Sequence, residues 1–241
     1  MTRKFLIYIA FFVMLIASFW YFVFRDQDLS RAPLVVINPD VQEFSFTNQD
    51  GKLVTDKEVD GKVYVANYFF TSCKGICPRM NANMRRVFEA YKEEPGFLII
   101  SHTCMPETDS VPRLKAYEAM MINGKLVANA DGSYRIDQVT TGGGVKNTNW
   151  IFVTGDKNSL YKMARQGYLI DNNKPDSLQN IADQFIHTQF FALVDKQRRL
   201  RGIYDGLKDM EIRKLLEDIN SLLKEKVDHP RFMNGFSNNP G

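Results

Sequence analysis

The chain has 241 residues, 44% of them hydrophobic and 24% charged, which excludes a wholly disordered protein and supports one sizeable domain with an appendage. A formal net charge of +3 is too small to argue for nucleic acid as a partner. Three cysteines exclude a dense disulfide framework, and their odd number leaves one thiol over if two of them bridge.

Phe5 to Phe24 is an uninterrupted apolar run of about twenty residues, enough to cross a bilayer as a helix. Arg3 and Lys4 precede it, so the positive-inside rule leaves the N-terminus in the cytoplasm and exports the chain after Arg25. The apolar core is longer than that of a cleaved signal peptide, and no A-x-A-like site comes after it. Residues 1–25 therefore read as an uncleaved anchor, single-pass in the cell (inner) membrane, with Trp20 and Tyr21 near the outer interface. The domain then faces the periplasmic or extracytoplasmic side. There, exposed cysteines persist only if bridged, metal-bound or serviced by a reductant. Residues 26–40 are polar, carry Pro33 and Pro39, and read as a tether to a domain over 41–227.

Glu43 to Phe46 alternates, Asn48-Gln49-Asp50-Gly51 is turn chemistry, and Leu53-Val54 resumes, which predicts a small hairpin. Lys62 to Phe70 is nearly all apolar with β-branched and aromatic residues, the mark of a central strand buried on both faces. Thr71 to Met80 comes next, with Cys73 and Cys77 four apart. Pro78 suits the first helical position, which makes Cys77 the N-cap, held out of the helical region by the proline after it. Both sulfurs then lie near the positive end of a helix, which favours the thiolate. Such a pair can form a disulfide or hold a soft metal.

Met80, Met84, Val87, Phe88 and Tyr91 recur at helical spacing, and Phe97 to Ser101 is a second buried strand, so a parallel crossover is expected. Val111 to Met121 reads as a helix, and Lys125 to Val139 as a hairpin turning at Asp131-Gly132. Asn149 to Thr154 is a third strand and Asp156 to Tyr168 a helix. His187 to Asp195 is a fourth strand, Leu200 to Tyr204 its antiparallel partner, and Glu211 to Lys226 an amphipathic helix. Residues 228–241, including His229, form a polar tail expected to be disordered. This order, with a cysteine pair after the first central strand, describes a thioredoxin-like α/β sandwich behind one transmembrane helix. A thioredoxin-type oxidoreductase usually shows C-x-x-C and a proline before the later hairpin. This chain has C-x-x-x-C and His187.

Five stretches resemble the Sco (SenC-type) family, membrane-anchored proteins that assist assembly of the binuclear copper site of cytochrome c oxidase. They are Tyr68 to Cys73, Cys77-Pro78, Pro106-Glu107 with Asp109, Trp150 to Gly155, and His187 with Leu193-Val194-Asp195. The resemblance implies that Cys73, Cys77 and His187 bind copper, with an exported oxidase subunit as acceptor. Two thiolates and an imidazole suit Cu(I) and also hold Cu(II). Three protein ligands leave an open position, as a site that gives its metal away requires. The chain departs from the family where Asp-Pro-Glu is usual. Here Met105 stands in place of the aspartate and Cys104 adds a thiol. The loop carrying His102, Cys104 and Met105 leaves the same sheet edge as the Cys73 loop and is within reach of the metal site, but His102 and Met105 default to packing or solvent contacts and Cys104 to an inert or resolving thiol. The stretch 122–149 is longer than the family needs and suggests a partner surface.

Two functions are compatible with this pattern. The first is a copper chaperone rather than an enzyme, its metal-free cysteines oxidisable to a Cys73–Cys77 disulfide. The alternative is a thiol–disulfide oxidoreductase with a thiol reductant as partner. There Cys73 attacks, Cys77 or Cys104 resolves, and His187 tunes the thiolate.

Overall fold

The computed structural model describes residues 3–24, 33–137, 147, 149–171 and 188–225. The chain divides into two compact units, Met1–Leu34 and Val35–Gly241. In the first, α1 (Arg3–Phe24) is long and apolar enough to cross a membrane, with a mean hydropathy of 2.2 over Arg3–Phe22.

The second unit is built on a seven-stranded mixed sheet with a separate hairpin. In chain order the strands begin with β1 (Ser45–Asn48), β2 (Leu53–Thr55), β3 (Val63–Phe69) and β4 (Phe97–Thr103). The hairpin strands β5 (Lys125–Ala128) and β6 (Tyr134–Asp137) come next. The sheet is completed by β7 (Trp150–Thr154), β8 (Phe190–Val194) and β9 (Leu200–Asp205). In space its strands run β2-β1-β7-β4-β3-β8-β9. β4 lies parallel to both β3 and β7, as the strand–helix–strand spacing requires, and β8 pairs antiparallel with β3. All seven residues of β3 and of β4 are buried, which explains their continuous apolar runs. The β1–β2 turn is closed by the Asn48 side chain, which accepts from the backbone N–H groups of Asp50 and Lys52. It needs Gly51 at φ +72°.

One face of the sheet carries Phe44, Phe46, Tyr64, Tyr68, Leu98, Ile100 and Val153 against α4 (Lys157–Lys162) and the turn after it. The other face carries Phe69, Phe97, Trp150 and Phe152 against α2 (Cys77–Tyr91), α3 (Val111–Asn123) and α5 (Asp209–Lys224). This is the α/β sandwich expected. The β5–β6 hairpin forms its own two-stranded sheet and packs on α2, with the Arg86 guanidinium 4.4 Å from the centre of the Tyr134 ring.

Several boundaries differ from the expectation. Ile37 and Asn38 do not belong to a free tether; both donate backbone N–H to the Leu200 carbonyl, and Val41 donates to that of Arg198. The helix expected over 156–168 is α-helical only to Lys162 and widens into a π-helical turn at Met163–Gly167, with Tyr168 N–H on the Met163 carbonyl. β8 starts at Phe190, after Thr188 has turned its hydroxyl onto the Ile170 carbonyl at 2.6 Å. His187, the tail from 228 and part of the stretch 122–149 lie outside the described residues.

Candidate functional site

β3 ends at Phe69 on the carboxyl edge of the sheet, and the chain must pass from there into α2 within a few residues. The Cys73 N–H donates to the Phe70 carbonyl at 3.2 Å, making a tight turn, and Met80 N–H donates to the Ile76 carbonyl at 3.0 Å. α2 therefore begins one residue earlier than the proline rule suggests. Ile76 is the N-cap, with helical backbone angles and no side-chain cap, and Cys77 is already in the first turn. Pro78 still fits, because the N–H it lacks would have had no partner inside the helix.

Two threonines and one carboxylate fix the loop. Asp109 is fully buried just before α3. Its carboxylate accepts from the Thr71 N–H at 3.2 Å, from the Thr71 hydroxyl at 2.6 Å and from the Thr103 hydroxyl at 2.5 Å. The loop after β3 is thus tied to the end of the adjacent parallel strand β4. Asp109 appeared in the sequence only as part of a family-like stretch. A buried acid beside a helix start, with threonines at two strand ends, was the signal for its role.

The cysteines line a surface pocket of about 300 Å³ together with Tyr68, Phe69, Phe70 and Thr188. Cys73 is half-buried and Cys77 buried, and all three cysteines are free thiols. The Cys73 sulfur and the Phe70 backbone are the polar groups nearest in effect to the Cys77 thiol. Burial and the neighbouring sulfur push the Cys77 thiol up to about 12. The thiolate expected from the helix terminus is therefore not the resting form of Cys77. Removal from water outweighs the helix field here.

Cys104 faces the same pocket from the end of β4. Its N–H donates to the Phe69 carbonyl at 2.7 Å, and its carbonyl accepts from the Tyr161 hydroxyl at 3.0 Å. Burial first, and then the field of Cys77, push its thiol well up. His102 and Met105 do not line the pocket. His102 is fully buried, stacked on Tyr68 with ring centroids 4.9 Å apart and edge-on to Phe46 and Tyr168. Met105 packs against the same core. Among the described residues, no group of three or more His, Cys, Asp or Glu side chains is arranged to hold a metal ion. Thr188 does line the pocket, and it is the residue directly after His187 in the chain.

The SCO1/SenC family model matches residues 38–134 and 130–224. The chain belongs to the SCO1/SenC family. It is 29% identical over 187 residues to the SCO1 protein homolog of Bacillus subtilis (strain 168), covering 77% of this chain and 83% of that one. Among solved structures, BsSco is described as a Sco-family cytochrome c oxidase assembly protein with a disulfide switch. It matches with TM-score 0.58 and 27% identity, over 80% of this chain and 98% of its own. ScoI of Bradyrhizobium japonicum with copper bound shares the fold, with TM-score 0.51 and 18% identity over 75% and 98% of the two chains. The SCO1/SenC domain of this chain is accordingly a thioredoxin-like sandwich, as its order of elements suggested.

Proposed function

We propose that this SCO1/SenC protein is a membrane-anchored metallochaperone that carries copper as cargo to a copper site of cytochrome c oxidase. Cys73 and Cys77 are its thiolate ligands and His187 is the third. The observation that carries the reading is that Cys73 and Cys77 line one open pocket, with Thr188 on its wall. A dithiol with an imidazole selects a soft ion, and a site one ligand short of a closed cage can release what it holds. Family membership and the assembly role of BsSco support the acceptor. The α1 helix is the anchor, with Arg3 and Lys4 holding the N-terminus in the cytoplasm and the domain on the extracytoplasmic side.

The residues divide the work. Asp109 holds the cysteine loop against β4, so the two sulfurs stay close without cargo. Cys77 keeps its proton until cargo arrives, so capture releases that proton to solvent and becomes pH-dependent. The metal-free pair is oxidisable to a Cys73–Cys77 disulfide, which makes delivery depend on a thiol reductant. The test is a Cu(I) titration of the full chain in detergent. One equivalent is expected to bind, and His187→Ala to weaken it at least about tenfold, the loss of one good ligand interaction. Absence of binding, or binding unchanged in His187→Ala, overturns the assignment.

The third thiol in the pocket favours a second reading, a thiol–disulfide oxidoreductase acting on the oxidase subunit or another exported protein. Insulin disulfide reduction that survives His187→Ala supports that activity, and no reduction removes it.

A further inference from the structure

Cys104 has no place in the three-ligand site, yet it lines the pocket shared by Cys73 and Cys77. Cys104 and Cys77 flank the same two residues. Cys104 N–H donates to the Phe69 carbonyl, and the Phe70 backbone is among the polar groups nearest in effect to the Cys77 thiol. The backbone of Cys104 is held at both ends, by Phe69 and by the Tyr161 hydroxyl. The cysteine loop, in contrast, is exposed at Ser72, Lys74, Gly75 and Ile76. Cys77 lies in the first turn of α2, so a Cys77–Cys104 bond draws that turn and the exposed residues before it toward Cys104. Cys77 and Cys104 are 5% and 3% exposed while Cys73 reaches solvent, so the three thiols are not equivalent.

We infer that Cys104 is the resolving thiol of the oxidised pair, converting a Cys73–Cys77 disulfide into a buried Cys77–Cys104 disulfide and freeing Cys73 toward solvent. The inference rests on the redox-active pair of the proposed function. The starting disulfide forms when a low-molecular-weight disulfide accepts two electrons and two protons from Cys73 and Cys77. Cys104 then gives its proton to pocket water and its sulfur attacks the Cys77 sulfur. The Cys77–Cys104 bond forms as the Cys73–Cys77 bond breaks, the electron pair leaves on the Cys73 sulfur, and Cys73 takes up a proton. No net oxidation occurs in this exchange. The product stores the disulfide where reductants reach it poorly. It also presents one solvent-facing thiol that can attack a partner's disulfide.

Lys74 lies between Cys73 and Cys77, and Arg79 between Cys77 and Cys104, so trypsin separates the three cysteines into three peptides. The full chain in detergent is reduced, oxidised with glutathione disulfide, quenched in acid, unfolded in N-ethylmaleimide and mapped by mass spectrometry. The expected result is a Cys77–Cys104 cross-link with alkylated Cys73 in the wild type, and a Cys73–Cys77 cross-link in Cys104→Ser. Cys73→Ser is expected to form Cys77–Cys104 as well, which keeps the test open if Cys104→Ser fails to fold. A wild type that holds only Cys73–Cys77, with Cys104 alkylated, overturns the inference and leaves the redox pair standing. A Cys73–Cys104 cross-link overturns the assigned point of attack. No cross-link in either the wild type or Cys104→Ser overturns the redox pair itself, and the inference with it.

Discussion

Mild acid should destabilise the domain through one side chain, His102. The imidazole is fully buried among Tyr68, Phe46 and Tyr168, and neither ring nitrogen makes a hydrogen bond of ordinary geometry. Burial pulls it down to about 3, only partly offset by the backbone at Asn67 and Ile100. The unfolded chain binds a proton near 6.5 while the folded domain does not until about pH 3. Stability from this residue is therefore complete above the upper value and lost as pH falls through that window. Integrating the linkage at about 1.4 kcal/mol per pH unit gives a loss of roughly 2 kcal/mol between about pH 7 and about pH 5. Urea unfolding of the full chain in detergent at the two pH values measures it, with His102→Phe as the reference. The other histidines and the carboxylates are common to both proteins, so the difference isolates His102. Equal losses of stability in wild type and His102→Phe on acidification would show that His102 is not the acid-sensitive group.

Three further outcomes are expected. Asp109→Ala removes the acceptor for three donors at the base of the cysteine loop and should cost about 1–3 kcal/mol in urea unfolding. It should also weaken Cu(I) binding in a competition titration, whereas unchanged copper affinity would show that the clamp does not position the sulfurs. Arg201, whose side chain is 3% exposed, pairs with Asp195 at 2.6 Å and with Glu225 at 3.2 Å. Asp195→Ala leaves Glu225 on the guanidinium and should destabilise by about 1–3 kcal/mol, and a loss under about 0.5 kcal/mol would mark the pair as dispensable. Because Cys77 holds its proton up to about 12, Cu(I) affinity should rise at least about tenfold per pH unit through neutrality, one proton leaving Cys77 per ion bound and any proton on Cys73 adding to it. A flat profile in a chelator competition series would contradict this.

The sequence displayed the sheet well because its strands are buried on both faces and so lack polar interruptions. β3 and β4 were visible for that reason, and α2 because Met80, Met84, Val87 and Phe88 keep one stripe apolar. His102 was open to two readings, and packing, the default, is the one the fold bears out. Beside Cys104 and Met105 it resembles a ligand, and only the register Tyr68↔His102 shows that it sits against a tyrosine under the pocket floor. Asp109 was legible as a residue but not as a clamp, since Thr71, which it ties to the end of β4, lies 38 residues earlier in the cysteine loop. The Cys77 thiol was misjudged because helix polarity can be read locally and burial cannot. The π-helical turn at Met163–Gly167 left no mark in the apolar spacing.

The placement of β3 between parallel β4 and antiparallel β8 has an effect on when the protein becomes competent. One neighbour delivers Cys104 as it exits the edge, and the other delivers Thr188 as it enters. Before those pairings exist, the nascent chain carries only a floppy dithiol, with nothing behind it to resolve against. Maturation of the chemistry is thereby tied to completion of long-range pairing. A kinetic trace of Cys73 reactivity during refolding would serve as a clock for the slowest strand to dock.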